Sequence, residues 1–166
     1  MKTSQALLIL VLISALLTSS CSVLSSGDKP TALFDGKSLD GWTVLKCEAA
    51  ADDGDLLIVA GNGLVQSEAQ YGDFILEFDW KPLREQKWDS GIYFRYTSVP
   101  EGRPWPERYQ ANLLQGQEGN VNSLPEARST GLIKPREWNH FKLTVVGTAA
   151  ALEINGTPAW QADGLA

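Results

Sequence analysis

With 166 residues, 20 acidic and 14 basic side chains, one histidine and two cysteines, the chain carries a formal net charge of −6. That balance excludes a protein built to cover nucleic-acid phosphates, which demand a basic surface, and leaves neutral ligands or cations as natural partners. Two cysteines exclude a disulfide framework, so stability must come from a core; one histidine, His140, leaves almost nothing for a zinc site or a Ser-His-Asp triad, and no GxxxxGK[ST] or GxGxxG loop is present.

At the N-terminus Lys2 precedes an apolar run over residues 6–17 and then Thr18, Ser19, Ser20 and Cys21, the layout of a bacterial export signal. The run is too short and wrongly flanked for a membrane span. LLTSSC resembles a lipoprotein signal, although Thr18 stands where that signal prefers Leu. Residues 1–21 are accordingly expected to be a signal peptide, with Cys21 as the lipidated first mature residue. Ser22 rather than Asp after the cysteine fits an outer-membrane destination, so the expectation is a periplasmic or outer-membrane lipoprotein that meets the membrane only through Cys21. The alternative is plain cleavage between Ser20 and Asp28, with Cys21 discarded or free to pair with Cys47. Lys2 is the only charge before Cys21, so the mature chain has a net charge of about −7. Residues 22–30, SVLSSGDKP, read as a flexible tether, and residues 31–166 as one domain long enough for a real core.

Beyond Pro30 no apolar pattern holds helical spacing. Short alternating runs separated by Gly, Pro, Asn and Asp predict an all-β chain, a two-sheet antiparallel sandwich of jelly-roll type. Strands are predicted over residues 42–45, 56–59, 63–67, 73–81, 90–96, 109–114, 139–146 and 151–154. Phe74, Leu76, Phe78 and Trp80 share one parity, with Ile75, Glu77 and Asp79 on the other, as in a strand buried on one side. In DSGIYFRY, residues 89–96, Ile92, Phe94 and Tyr96 form a core row; Gly91, Tyr93 and Arg95 form a polar row, in which Tyr93 offers a flat face to a pyranose and Arg95 a planar donor. Gln110, Asn112 and Leu114 alternate against Tyr109, Ala111 and Leu113. Carboxamides both donate and accept, which suits sugar hydroxyls, and the Gly-rich loop at residues 115–120 adds Gln115 and Glu118. A solvated edge strand is the competing reading of this segment. Phe141, Leu143 and Val145 alternate with Lys142, Thr144 and Val146, His140 reads as a partly exposed packing residue, and Asn155-Gly156 predicts a hairpin. Residues 162–166 offer no closing strand.

Asp79, Asp89, Glu107 and Glu118 are the carboxylates near these elements, enough for acid and base roles if two converge. The blocks LFDGKSLDGW (33–42), YGDFILEFDW (71–80), DSGIYFR (89–95), KPREWNHFKLTVVG (134–147) and EING (153–156) together resemble the 3-keto-disaccharide hydrolase domain family, long known as domain of unknown function 1080. The resemblance runs from Leu33 to the end of the chain and implies a concanavalin-like jelly roll in an exported or lipoprotein setting. It also implies a hydrolase or lyase acting on glycosides oxidised at carbon 3. A ketone there acidifies the C2 hydrogen, so a base removes it, the glycosidic oxygen leaves C1 by elimination, and water adds afterwards. By that resemblance Arg95 is an oxyanion or hydroxyl donor. Asp89 is the acid or base at the strand entrance, with Glu118 as the second catalytic candidate. Tyr93, Arg95, Gln110, Asn112 and Gln115 form the sugar-binding set, for an oligosaccharide or 3-keto-glycoside. No cofactor is required and no metal ligands stand out, although calcium is compatible with such a jelly roll.

Two departures mark this chain. Many relatives carry Tyr-Glu-x-Gln where it reads Tyr109-Gln110-Ala111-Asn112, so the neutral Gln110 replaces an acid, and Glu118 or Glu107 would have to serve. Relatives also continue to a final strand absent here, so the sandwich is expected to lack it and to carry an unpaired edge. The competing functions are a non-catalytic, lectin-like lipoprotein and a structural envelope lipoprotein.

Overall fold

Strand follows strand from Trp42 onward in the computed structural model, which describes residues 29–166; the export signal, Cys21 and most of the tether lie outside the described residues. Leu33–Ala166 is the unit considered below. Its strands are β1 (Trp42–Asp52), β2 (Asp55–Ser67), β3 (Phe74–Trp80), β4 (Gly91–Tyr93), β5 (Gln110–Asn112), β6 (Asn139–Val146), β7 (Ala149–Ile154) and β8 (Thr157–Ala162). There is no helix among the described residues. All pairings are antiparallel: a four-stranded sheet in the order β3-β6-β7-β8, and the two-stranded ladders β1-β2 and β4-β5.

The core lies between the four-stranded sheet and the layer that holds β4 and β5. From the first come Phe141, Leu143 and Val145 of β6, Leu152 and Ile154 of β7, and Trp160 of β8; facing them are Phe94, Tyr109, Ala111 and Leu113, then Val121, Leu124 and Ala127. Phe141 collects two rings from β3, with Phe78 at 5.5 Å and Trp80 edge-on at 5.9 Å between centroids. These follow from the register Phe78↔Phe141, which places both residues on one face. The segment after β5 has no regular structure, yet it covers this core. Arg128 organises it by donating to the carbonyls of Val121, Leu124 and Ala127 at 2.8, 2.9 and 2.8 Å.

Several predicted elements differ from the structure, and the larger differences have local reasons. Residues 56–59 and 63–67 are one strand, β2, because Gly61 and Gly63 do not interrupt it. A Cβ on Gly61 would lie 2.8 Å from Cys47 Cα, and one on Gly63 2.5 Å from the Lys46 carbonyl carbon, so both glycines permit close backbone approach at a bulge in β1 where Lys46 has φ 56°. β1 runs on to Asp52 because Asp53 (φ 48°) and Gly54 (φ 91°) form a two-residue hairpin turn, the Asp-Gly form of the signal recognised at Asn155-Gly156. The strand predicted over 90–96 shortens to β4, since Arg95 takes the left-handed region at φ 55°. Tyr96 therefore leaves the core row. Its hydroxyl donates to Gln66 Oε1 of β2 at 3.2 Å, while Ile92 and Phe94 stay with the core.

The hairpin at Asn155-Gly156 closes as expected, with Ile154 opposite Thr157 and both turn residues at positive φ. A buried amide knot supports it. Asn139, wholly inaccessible, accepts from Lys134 N at 2.8 Å and from Asn155 Nδ2 at 3.0 Å, and donates to the carbonyls of Lys134 and Glu137 at 2.9 Å each. The KPREWN and EING blocks are thus parts of one scaffold joint.

Candidate functional site

β4 and β5 pair with Gly91 opposite Asn112, Ile92 opposite Ala111 and Tyr93 opposite Gln110. Main-chain bonds extend this ladder at both ends. Phe94 and Tyr109 exchange N–H···O bonds at 3.0 and 3.1 Å, Leu113 N donates to Ser90 O at 2.9 Å, and Gln115 N to Trp88 O at 3.1 Å. Period-two alternation sends Ile92, Phe94, Tyr109, Ala111 and Leu113 into the core. Asp89, Gly91 and Tyr93, with Gln110, Asn112 and Leu114, fall on the opposite face.

Gly91 has a steric task on that face. Lacking a side chain, it leaves a slot between Asp89 and Tyr93, and the Gln110 side chain lies across it: a Cβ at residue 91 would be 2.7 Å from both Gln110 Cγ and Cδ. A glycine inside a strand pattern is the sequence signal of such close approach. Across the ladder, Asn112 is only 5 % exposed. Burial, and secondly the negative charge of Asp89, push the Tyr93 phenol above its ordinary pKa. Tyr93 therefore remains a protonated donor while Asp89, exposed at the rim, is the neighbouring anion.

The loop after β5 closes the far edge of this face. Gly119 N donates to Asn112 O at 2.7 Å, and Asn112 N to Asn120 O at 2.9 Å. The loop is held from below by Trp160 of β8, whose indole N–H donates to Gly119 O at 2.7 Å. Gly119, at φ 86°, sits where a Cβ would press on Ile154 Cδ1 at 2.8 Å and Leu152 Cδ2 at 2.9 Å. Gln115 ties the loop to the segment before β4 by accepting from Lys87 N at 2.6 Å.

Asp89, Tyr93, Gln110 and Asn112 are thus brought together, with Gln115 as a tie at the margin. Glu118 and Arg95 are not. Glu118, 9 % exposed, turns back into its own loop and accepts from Gly116 N at 2.9 Å. Arg95 Nη2 donates to Asp73 Oδ1 and to Gly147 O, both at 2.8 Å, and Gly147 N donates to the same Asp73 oxygen at 3.0 Å. The residue braces the end of β4 against the turns at either side of β3 and β6, a consequence of its left-handed backbone. The other two acids lie elsewhere: Asp79 Oδ1 is 3.0 Å from His140 Nδ1 on the outward face of the four-stranded sheet, and Glu107 is 3.5 Å from Arg103. No group of three or more His, Cys, Asp or Glu side chains is arranged to hold a metal among the described residues.

An open groove of about 550 Å³ crosses the outward face of β6–β8, lined by Glu126, Thr144, Ala149, Ala151, Gln161 and Asp163. Its floor is largely methyl groups. Asp163 is held below the usual carboxylate range by the Thr148 hydroxyl and then by Gly164 N–H. The β4–β5 face is the better candidate, because the register brings Tyr93, Gln110 and Asn112 together on it, with Asp89 close enough to act on the Tyr93 phenol.

No curated protein matches the chain. Among solved structures, a crystal structure of a glycosyl hydrolase candidate from Parabacteroides distasonis ATCC 8503 shares the fold, with a TM-score of 0.62 at 18 % identity over 80 % of this chain and 71 % of that one. The family model described as a 3-keto-alpha-glucoside-1,2-lyase-like domain matches residues 29–164. On that match, and with the all-β sandwich in place, the chain belongs to the 3-keto-alpha-glucoside-1,2-lyase-like domain family.

Proposed function

We propose that this glycosyl-hydrolase-like domain cleaves 3-keto-glycosides by elimination on the β4–β5 face. The Asp89 carboxylate removes the C2 proton, and the electron pair left behind forms an enolate whose charge rests on the C3 oxygen. Carboxamide N–H groups of Gln110 and Asn112 donate to that oxygen. As the C3 carbonyl re-forms, the C1–oxygen bond breaks and a C1=C2 double bond is made. Tyr93 supplies the proton to the departing oxygen, and water later adds across the double bond. Asp89 keeps the C2 proton and Tyr93 is left one proton short, so the addition of water must reset both groups. The observation that supports this reading is the coupling of Asp89 with a protonated Tyr93 across the slot that holds Gln110.

The test is turnover of a panel of 3-keto-disaccharides by the parent chain and by Asp89→Asn and Tyr93→Phe. Loss of kcat with sugar binding retained in Asp89→Asn is expected; full activity in that variant removes Asp89 as the base. A second reading is sugar binding without catalysis, favoured by the commitment of Glu118 to Gly116 and of Arg95 to Asp73, which among the described candidate carboxylates leaves Asp89 beside Tyr93. Binding without turnover in the parent chain would select it. Export and lipidation at Cys21 belong to the same proposal, and incorporation of labelled fatty acid that is abolished by Cys21→Ser is the expected result.

A further inference from the structure

Asp89 stands just before β4, and the chain that leads to it, residues 83–87, is exposed throughout. Two main-chain bonds flank it: Leu113 N donates to Ser90 O at 2.9 Å, and Gln115 N to Trp88 O at 3.1 Å. At Lys87 the backbone enters the left-handed region, φ 59°, so extended pairing cannot run further. There Lys87 N donates to a side chain, Gln115 Oε1, at 2.6 Å. One residue thus grips the chain twice immediately before Asp89, at Trp88 O through its amide and at Lys87 N through its carboxamide. Gln115 is itself fixed from behind. Gln117 N donates to Leu114 O at 2.8 Å, closing a turn over residues 114–117, and Gly116 N donates to the carboxylate of the buried Glu118 at 2.9 Å. A left-handed residue other than glycine persists where its surroundings dictate it, and such residues cluster at functional sites.

We infer that Gln115 is a positioning residue for Asp89: its double hold on Lys87 and Trp88 fixes the backbone from which the Asp89 carboxylate reaches toward Tyr93. The inference rests on the reading of Asp89 as the base and adds what aims that base. A general base must lie within hydrogen-bond reach of the proton it takes, and a site is precise only where its supporting contacts lock the reacting group. An exposed carboxylate on an unfastened segment would sample many directions. Gln115 acts through the main chain, although the sequence offered it as a sugar contact. Glu118, offered as a second catalytic acid, serves the same end by holding the turn that carries Gln115.

The experiment uses the whole chain with Gln115→Leu and Gln115→Ala, which remove the oxygen in two shapes. Gln115 is exposed, so both variants are expected to keep the far-UV circular dichroism of the parent. The first readout needs no turnover: the Tyr93 phenol, whose pKa is raised by burial and then by Asp89, is titrated by NMR of ring-labelled tyrosine. Both variants are expected to move the Tyr93 midpoint downward, as Asp89→Asn does, and to leave Tyr96 in place. Combined with Asp89→Asn, neither should move Tyr93 further, since a residue that acts through Asp89 then has nothing to act on. The second readout is turnover of a 3-keto-disaccharide, with kcat lowered about 10- to 100-fold and KM within about twofold of the parent. An unmoved Tyr93 in both variants overturns the positioning role, as does a shift that adds in full to that of Asp89→Asn, or a fall in Tm alone. The expected shifts in a chain whose parent shows no turnover would remove the eliminative reaction and leave the hold of Gln115 on Asp89 standing.

Discussion

Replacing Gly91 by alanine separates the site from the scaffold. The backbone at Gly91 does not require positive φ, so alanine is conformationally allowed there. Its lower entropy in the unfolded chain favours folding by about 0.4–1 kcal/mol. The new Cβ would stand 2.7 Å from Gln110 Cγ and Cδ. Ordinary carbon contacts lie at about 3.5–4.0 Å, so the Gln110 side chain must withdraw by about 1 Å. A glutamine side chain can do this at a cost of about 0.5–1.5 kcal/mol, and the two terms nearly cancel. Stability should stay within about 1 kcal/mol of the parent, a Tm change of no more than about 4 °C by circular dichroism. Catalysis should suffer far more, because a displacement of about 1 Å in a group that contacts the reacting oxygen costs about 10- to 100-fold in kcat/KM. Undiminished kcat/KM would refute the placement of Gln110 in the site; a loss of several kcal/mol of stability would show Gly91 to be structural instead. Gly63→Ala is the control. There the Cβ meets backbone, at 2.5 Å from the Lys46 carbonyl carbon and 2.7 Å from Cys47 N, which cannot move aside, so this variant should lose several kcal/mol.

Arg95→Met should cost about 1–2 kcal/mol in urea denaturation, since it removes the brace to Asp73 and Gly147, with KM for the sugar unchanged; a KM effect without loss of stability would return Arg95 to the site. Asn139→Ala should destabilise by about 2–4 kcal/mol, read as a lowered denaturation midpoint, because it strips four bonds from a wholly buried amide and orphans their partners. In a phenolate absorbance titration Tyr93 and Tyr96 should ionise above the ordinary value of 10.0, both chiefly through burial. Their folded-state values are raised, so their contribution to stability is intact below the unfolded value and is lost as pH rises through the folded ones. Asp89→Asn should move Tyr93 part of the way back and leave Tyr96 alone; no movement would contradict the proximity of Asp89 to Tyr93.

The strands that alternate without interruption were legible in the sequence: β6 begins and ends as predicted, and β3 differs by one residue at each end. Such strands show a buried and an exposed face in their composition, and the Asn155-Gly156 turn shows in the two residue types that tolerate positive φ. The long β1–β2 ladder was not legible, because Gly61 and Gly63 look like breaks when their partner strand is unknown. The same rule divided the site residues. Period two gave Tyr93 its row on β4 and Gln110 and Asn112 theirs on β5, and the register that sets Tyr93 opposite Gln110 and Gly91 opposite Asn112 puts the two rows on one face. It failed at Arg95, where one left-handed residue ends the alternation, and a neighbouring acid, Asp73, claims the guanidinium. Glu118 could not be placed because a loop carboxylate is oriented by its own turn, here by Gly116 N–H, and not by periodicity. Much of the family pattern proved to be joinery: Asn139 and Asn155 hold two turns together and lie outside the β4–β5 face.

The bond from the Trp160 indole to Gly119 O has a consequence for biogenesis. The loop that borders Asn112 is fastened by a residue that leaves the ribosome 41 residues after Gly119, a delay of about 2–8 s at ordinary synthesis rates. Until then β4 and β5 can pair, but their polar face lacks its far wall, and the apolar side chains beneath it have no cover. An incomplete nascent chain is thus a form of this protein with its β4–β5 face open and its interior exposed, a form that holding factors and proteases would meet first.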